Sequence, residues 1–86
     1  MQKPEVVVVT GASAGVGRAT VREFAQRGAY IGLLARDRER LEEARREVEA
    51  MGGRALVLPT DVANPDEVEA AAQAVEDEFG PIDIWI

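Results

Sequence analysis

The stretch Thr10-Gly11-Ala12-Ser13-Ala14-Gly15-Val16-Gly17 lies between an apolar run at residues 6–9 and a helical pattern. No other feature limits the fold as much. A strand that ends on a glycine-rich turn and leads into a helix brings backbone N–H groups and a helix N-terminus to one point. There the aligned peptide dipoles favour a phosphate. In that geometry Gly11 takes the tight turn off the strand, Gly15 lets a pyrophosphate approach the backbone, and Gly17 removes a side chain where helix and sheet pack closely. A spaced glycine triplet alone is weak evidence. The G-x-x-x-G-x-G spacing, the preceding threonine, and the flanking strand and helix patterns together favour a dinucleotide-binding turn over an ordinary strand-to-helix turn.

The rest of the chain alternates strand and helix. Val6–Thr10 is a β-branched run of the kind a buried parallel strand needs. The first helix is predicted over about residues 15–27, with Val16, Ala19, Val21, Phe24 and Ala25 as its buried stripe and Gly28 closing it. Tyr30–Ala35 reads as a second strand. In the next helix Leu41, Ala44, Val48 and Met51 fall at steps of three and four, Glu42 precedes Arg46 by one turn, and Gly52-Gly53 ends the element. Residues 55–58 form a third strand, followed by the loop Pro59-Thr60-Asp61. Asn64-Pro65-Asp66-Glu67 carries an N-cap candidate, a proline for the first helical position and acids for the first turn. Val68, Ala71, Ala72, Val75 and Phe79 line one face of that helix, and Gly80-Pro81 stops it. Residues 82–86 begin a fourth strand. Strands joined by helical crossovers predict an α/β fold, a partial Rossmann-like parallel sheet with helices on both faces, in one domain spanning residues 1–86.

Residues 10–17 resemble the cofactor signature of the short-chain dehydrogenase/reductases, which have three residues between the first two glycines. The similarity continues in order along the chain. Leu33-Leu34-Ala35-Arg36 sits where that family reads the adenosine ribose, Asp61-Val62 where it holds the adenine, and Gly80-Pro81-Ile82-Asp83-Ile84-Trp85-Ile86 resembles its approach to the fourth strand. The resemblance implies strand order 3-2-1-4. It also implies that the chain is the N-terminal part of a longer, truncated enzyme, since the Asn-Asn-Ala-Gly segment of the family would follow Ile86.

Cofactor choice turns on the end of the second strand. An acid there bonds the ribose hydroxyls and selects NAD, while repelling a 2′-phosphate. Here Ala35 occupies the position and Arg36 follows it. A guanidinium forks onto phosphate oxygens, so Arg36 is the candidate 2′-phosphate ligand, with the Ser13 hydroxyl beside it. NADP(H) is therefore favoured over NAD(H), although Ala14 is neutral where many NADP-preferring members carry a second base. Asp37 competes for the ribose but equally suits the N-cap of the second helix. For Asp61 the resemblance implies an acceptor for the adenine amino group, with the Val62 N–H serving a ring nitrogen; the alternative is a turn cap before Asn64. The expected cofactor-binding set is Thr10, Gly11, Ser13, Ala14, Gly15, Val16, Gly17, Arg36, Asp61 and Val62. Arg18, Tyr30 and Trp85 are left to solvent or strand packing.

Composition sets the outer bounds. With 47% hydrophobic and 30% charged residues the chain is folded rather than disordered. It has neither cysteine nor histidine, which removes disulfides, thiol chemistry and the usual zinc ligands. No run approaches the roughly 18 apolar residues of a membrane span, and no leader pattern precedes the first strand, so a cytoplasmic location is expected. All ten bases lie at or before Arg54, whereas residues 61–86 carry eight acids and no base. An acidic chain without basic patches interleaved with aromatics is a poor nucleic-acid binder.

Catalysis in the family needs a Tyr-x-x-x-Lys pair with a serine and an asparagine, the lysine lowering the tyrosine pKa. The sole tyrosine, Tyr30, is followed four residues later by Leu34, and Lys3 is the sole lysine. The chain is thus expected to bind NADP(H) without catalysing. One alternative is a non-catalytic nucleotide-binding or interaction module. Another is an S-adenosylmethionine methyltransferase, which normally wants the acid that Ala35 replaces. The final strand, with Ile82, Ile84, Trp85 and Ile86 and only Asp83 to discourage pairing, is expected to self-associate through its open edge.

Overall fold

The computed structural model describes residues 3–86. Seven elements follow in order: β1 (Val6–Thr10), α1 (Gly15–Ala25), β2 (Tyr30–Ala35), α2 (Arg38–Ala50), β3 (Arg54–Pro59), α3 (Pro65–Phe79) and β4 (Ile84–Trp85). The four strands form one sheet in the order β3-β2-β1-β4. Every pairing is parallel, with Val6 beside Tyr30, Tyr30 beside Arg54 and Val7 beside Ile84.

The two-residue period of a strand deals the apolar run to two cores. Val7, Val9, Ile31 and Leu33 join Val21 and Ala25 of α1 and Leu41, Ala44 and Val48 of α2. Val6, Val8 and Leu34 join Ala71, Val75 and Phe79 of α3 on the opposite face. Both faces of β1 and β2 are therefore covered, which is why these strands read as continuous apolar runs. At Gly32 helix and sheet approach so closely that a Cβ would stand 2.5 Å from Val75 Cγ2.

Two helix ends follow their sequence signals closely. The Asn64 side chain accepts from the Asp66 and Glu67 N–H groups at 3.0 and 3.3 Å, with Pro65 at the first helical position. Asp37 caps α2, accepting from the Arg40 N–H at 3.2 Å.

Other details differ from the sequence expectation. α1 stops at Ala25, because Gly28, at φ 76°, turns the chain and its N–H closes onto the Ala25 carbonyl. Val16 and Ala19 lie outside its buried stripe; Val16 is 85% exposed because the first turn of α1 projects past the end of the sheet. Met51 is exposed at the C-terminal end of α2. Glu42 pairs with Arg45 at 2.7 Å rather than with Arg46, and Arg45 gains a second partner in Glu49 at 2.9 Å. β3 is one residue longer at each end than expected.

β4 is shorter than residues 82–86, although the flanking backbone stays beside β1. Asp83 N–H donates to the Val6 carbonyl and Ile86 N–H to the Val8 carbonyl, both at 2.8 Å. The ladder begins late because the Asp83 carboxylate accepts the Val6 N–H at 2.8 Å, where a backbone carbonyl would otherwise stand. Asp83 therefore braces β1 instead of guarding the open edge. Among the described residues no helix is long and apolar enough to cross a membrane.

Candidate functional site

Parallel strands point their carboxyl ends in one direction, and open α/β sheets place ligands in the crevice beyond those ends. Here β1, β2 and β3 end around a cavity of about 470 Å³. Gly11 and Ser13 line it from the turn after β1, Ala35, Arg36 and Asp37 from the end of β2, and residues 60–63 from the loop after β3.

The turn is built by glycines that no other residue replaces cheaply. Gly11 and Gly15 lie at φ 63° and 57°, in the left-handed region that other L-residues rarely adopt. A Cβ on Gly17 would overlap the Gly11 carbonyl, so the third glycine lets α1 begin directly beneath the turn. The Ala12 N–H donates to the Leu34 carbonyl at 3.1 Å, tying the turn to β2.

At the start of α1 the N-cap residue is Ala14, in an extended conformation, with no side-chain cap and no acid in the first turn. Among the described residues no protein acceptor takes the N–H groups of Gly15, Val16 or Gly17. These donors and the dipole of α1 are directed past the sheet end, beside the cavity.

Five of the predicted site residues line the cavity: Gly11, Ser13, Arg36, Asp61 and Val62. Ala14, Gly15, Val16 and Gly17 form the adjoining start of α1. Thr10 is directed elsewhere, since its hydroxyl and its N–H both donate to the Ile86 carbonyl at 2.9 Å.

Charge is concentrated across the cavity from the turn. Arg36 Nη2 stands 3.1 Å from Asp61 Oδ1. The same oxygen accepts the Ala63 N–H at 3.0 Å, and the Asp61 N–H donates to Glu67 at 2.9 Å. Asp61 thus closes the turn before α3, as its alternative reading had it, and still faces the cavity. The Ala63 N–H, and then the Arg36 guanidinium, hold its carboxyl below the usual carboxylate range. Oδ2 has no protein donor among the described residues. Asp37 likewise lines the cavity while serving as the α2 cap.

Two supporting residues escape a reading of the sequence. Thr60, only 5% exposed, donates its N–H to the Ala35 carbonyl at 2.7 Å and its hydroxyl to the Leu58 carbonyl at 2.8 Å. It locks together the strand ends that carry Arg36 and Asp61, and its position next to Asp61 is the only signal the sequence offers. Arg18 reaches back to the Ser13 carbonyl at 3.4 Å while paired with Glu47 of α2 at 3.0 Å. It braces the turn from α2, a role that required knowing the α1–α2 packing.

The model of the short chain dehydrogenase family matches residues 5–86. The chain belongs to that family. A short chain dehydrogenase of Pseudocercospora fijiensis is 38% identical over 82 residues, which are 95% of this chain and 26% of that protein. L-sorbose reductase from Gluconobacter frateurii, solved with NADPH and L-sorbose, superposes with a TM-score of 0.89 at 43% identity, over 96% of this chain and 32% of that one. An NAD+-bound xylitol dehydrogenase gives a TM-score of 0.90 at 35% identity, again over 96% of this chain and 32% of its own. The chain therefore spans about a quarter to a third of the length of these relatives.

Proposed function

We propose that this chain is the NADP(H)-binding N-terminal part of a short-chain oxidoreductase, with the dinucleotide laid from the start of α1 to the cavity between β2 and β3. The observation that carries the reading is the combination of an uncapped helix N-terminus with an exposed arginine at the end of β2. In the proposed pose the pyrophosphate meets the N–H groups of residues 15–17, and the adenosine half enters the cavity. Asp61 Oδ2 accepts from the adenine amino group, Val62 N–H serves the ring, and Arg36 and Ser13 receive the 2′-phosphate. Relatives solved with NADPH and with NADP support the phosphate-bearing cofactor; another is solved with NAD+, so the preference rests on Arg36 of this chain.

When bound, such a cofactor supplies a hydride; this chain's own residues bind and orient it. We assign proton transfer to residues outside residues 1–86, because Tyr30 has no lysine four positions on. Titration calorimetry should give tighter binding of NADP+ than of NAD+, with Arg36→Ala narrowing the gap by about 1 to 3 kcal/mol, the scale of one or two hydrogen bonds to a charged group. Equal affinities, unchanged by the substitution, would remove Arg36 from the site. NADPH mixed with the chain and a panel of aldehydes and ketones should keep its absorbance.

Beyond the cofactor, we propose that copies of the chain associate through the β4 edge, where Trp85 and Ile86 are exposed. Sedimentation should show mass rising with concentration and falling back to monomer in Trp85→Lys. A monomer at every concentration removes this interface.

A further inference from the structure

Arg36 and Asp61 lie far apart in sequence and meet because β2 and β3 are neighbours whose ends Thr60 holds together. The two partners are not held equally. Asp61 is anchored on both sides, its Oδ1 by the Ala63 N–H and its own N–H by Glu67. The Arg36 side chain is 78% exposed and has no other ion-pair partner among the described residues. The carboxylate is therefore the fixed member of the pair, and the guanidinium is the member able to move.

We propose that Asp61 is a specificity-determining residue acting through Arg36: it holds the guanidinium in an internal ion pair from which only a 2′-phosphate draws it. The proposal rests on the dinucleotide reading above and deepens it. Arg36 and the Ala63 N–H both use Oδ1, which leaves Oδ2 for the base. A dinucleotide with a free 2′-hydroxyl can then enter with the Arg36–Asp61 pair intact. A phosphorylated one exchanges that pair for a guanidinium–phosphate pair, so its advantage is the difference between the two and not the full strength of the second. The other acid at the cavity does not compete, since Asp37 is engaged with the N–H and the guanidinium of Arg40.

The test is calorimetry with NADP+ and NAD+ on the whole chain at one low ionic strength, for the original sequence, Asp61→Asn, Arg36→Ala and the double variant. Asparagine keeps the oxygen that accepts the Ala63 N–H and removes the charge, while its amide nitrogen replaces the Oδ2 acceptor, a loss that both dinucleotides share. The ratio of NADP+ to NAD+ affinity should rise about two- to fivefold in Asp61→Asn, the scale of an exposed ion pair. NAD+ affinity should fall only by the lost base contact, which NADP+ loses as well, and the rise in the ratio should vanish when Arg36 is alanine. A fall in both affinities at constant ratio would make Asp61 a base ligand only and overturn the proposal. So would a rise that survives without Arg36, since that is simple repulsion between Asp61 and the phosphate. Failure of the original chain to bind either dinucleotide overturns the parent reading itself, a result distinct from a bound but unselective site. Should Asp61→Asn unfold, Arg36→Lys takes its place. It weakens the hold of both Asp61 and the phosphate, so it is paired with Arg36→Lys/Asp61→Ser, in which the serine oxygen still accepts the Ala63 N–H: a ratio unchanged by the added serine would overturn the proposal, and a rise would support it.

Discussion

The N-termini of α1 and α3 solve the same problem in opposite ways. Every helix begins with N–H groups that lack intrahelical partners. α3 satisfies them from its own sequence, with Asn64 accepting two of them, Pro65 removing a third donor, and Asp66 and Glu67 adding negative charge to the first turn. α1 has Ala14 at the same place, no acid in its first turn, and Gly15 and Gly17 within that turn. The residues needed for a cap are common in this chain, so the bare end of α1 is a property of that site and not of the composition. A helix end left without an internal anion is suited to an external one.

The largest effect should come from the glycine beneath the bare end. Gly17→Ala puts a Cβ against the Gly11 carbonyl, and a backbone oxygen cannot swing aside as a side chain would. The turn or the helix must shift, at a cost of about 3 kcal/mol, the upper part of the usual range for overpacking. For a domain of this size that corresponds to a fall in melting temperature of more than about 10 °C. Alanine at Glu67 in the first turn of α3, which meets no such obstacle, should cost far less. A Gly17→Ala chain that melts with the original and still binds NADP+ would show that α1 does not need its close start.

A pair of reciprocal changes tests the comparison itself. Asn64→Ala removes the cap of α3 and should cost about 1 kcal/mol in urea denaturation without changing dinucleotide affinity. Ala14→Asp supplies the cap α1 lacks, on a residue already in the extended conformation a cap requires. It should stabilise the chain by about 0.5 to 1 kcal/mol and weaken NADP+ binding about tenfold, because the carboxylate would take the place proposed for the pyrophosphate. If Ala14→Asp leaves NADP+ affinity intact, the bare end of α1 is not where the phosphates bind.

How much of this the sequence revealed follows the range over which each feature is determined. The strands, the Asn64 and Asp37 caps and the glycine turn were legible, because apolar runs, cap residues and glycines act within a few positions of themselves; the order of the strands came from the family resemblance alone. The buried stripe of α1 was read one turn too far. Val16 has the right period for burial, but periodicity carries no information about where the sheet beneath ends. Glu42 chose Arg45 over Arg46 because a second acid, Glu49, holds Arg45 from the other side. At the cavity, Arg36 and Asp61 were each marked singly, while their pairing depends on β3 lying beside β2 with Thr60 between the strand ends. The brace from Arg18 to Ser13 and the turn of Asp83 onto Val6 were out of reach for the same reason.

The smallest effect separates the two helix ends by pH. Beneath the α1 turn, Glu47 accepts from Arg22 and Arg18, and those bonds lower its pKa, the Arg22 contact most. A carboxyl whose pKa is lower in the folded chain contributes stability that is fully present above its unfolded value, about 4.3 for glutamate, and is lost as pH falls through the folded value. The brace on the α1 turn should therefore weaken only in acid. The capping bonds of Asn64 have no such dependence, because its amide oxygen accepts the Asp66 and Glu67 N–H groups without titrating; only its amide nitrogen meets a carboxylate, at 3.3 Å from Glu67. Urea midpoints measured at pH 7 and pH 3 should show the penalty of Glu47→Gln shrinking toward zero in acid while that of Asn64→Ala persists. The pH 7 penalty itself should be modest, as the pairs are partly exposed and screened. A Glu47→Gln penalty of the same size at both pH values would mean that the side chain acts through its shape and not its charge, and would leave the start of α1 held by packing alone.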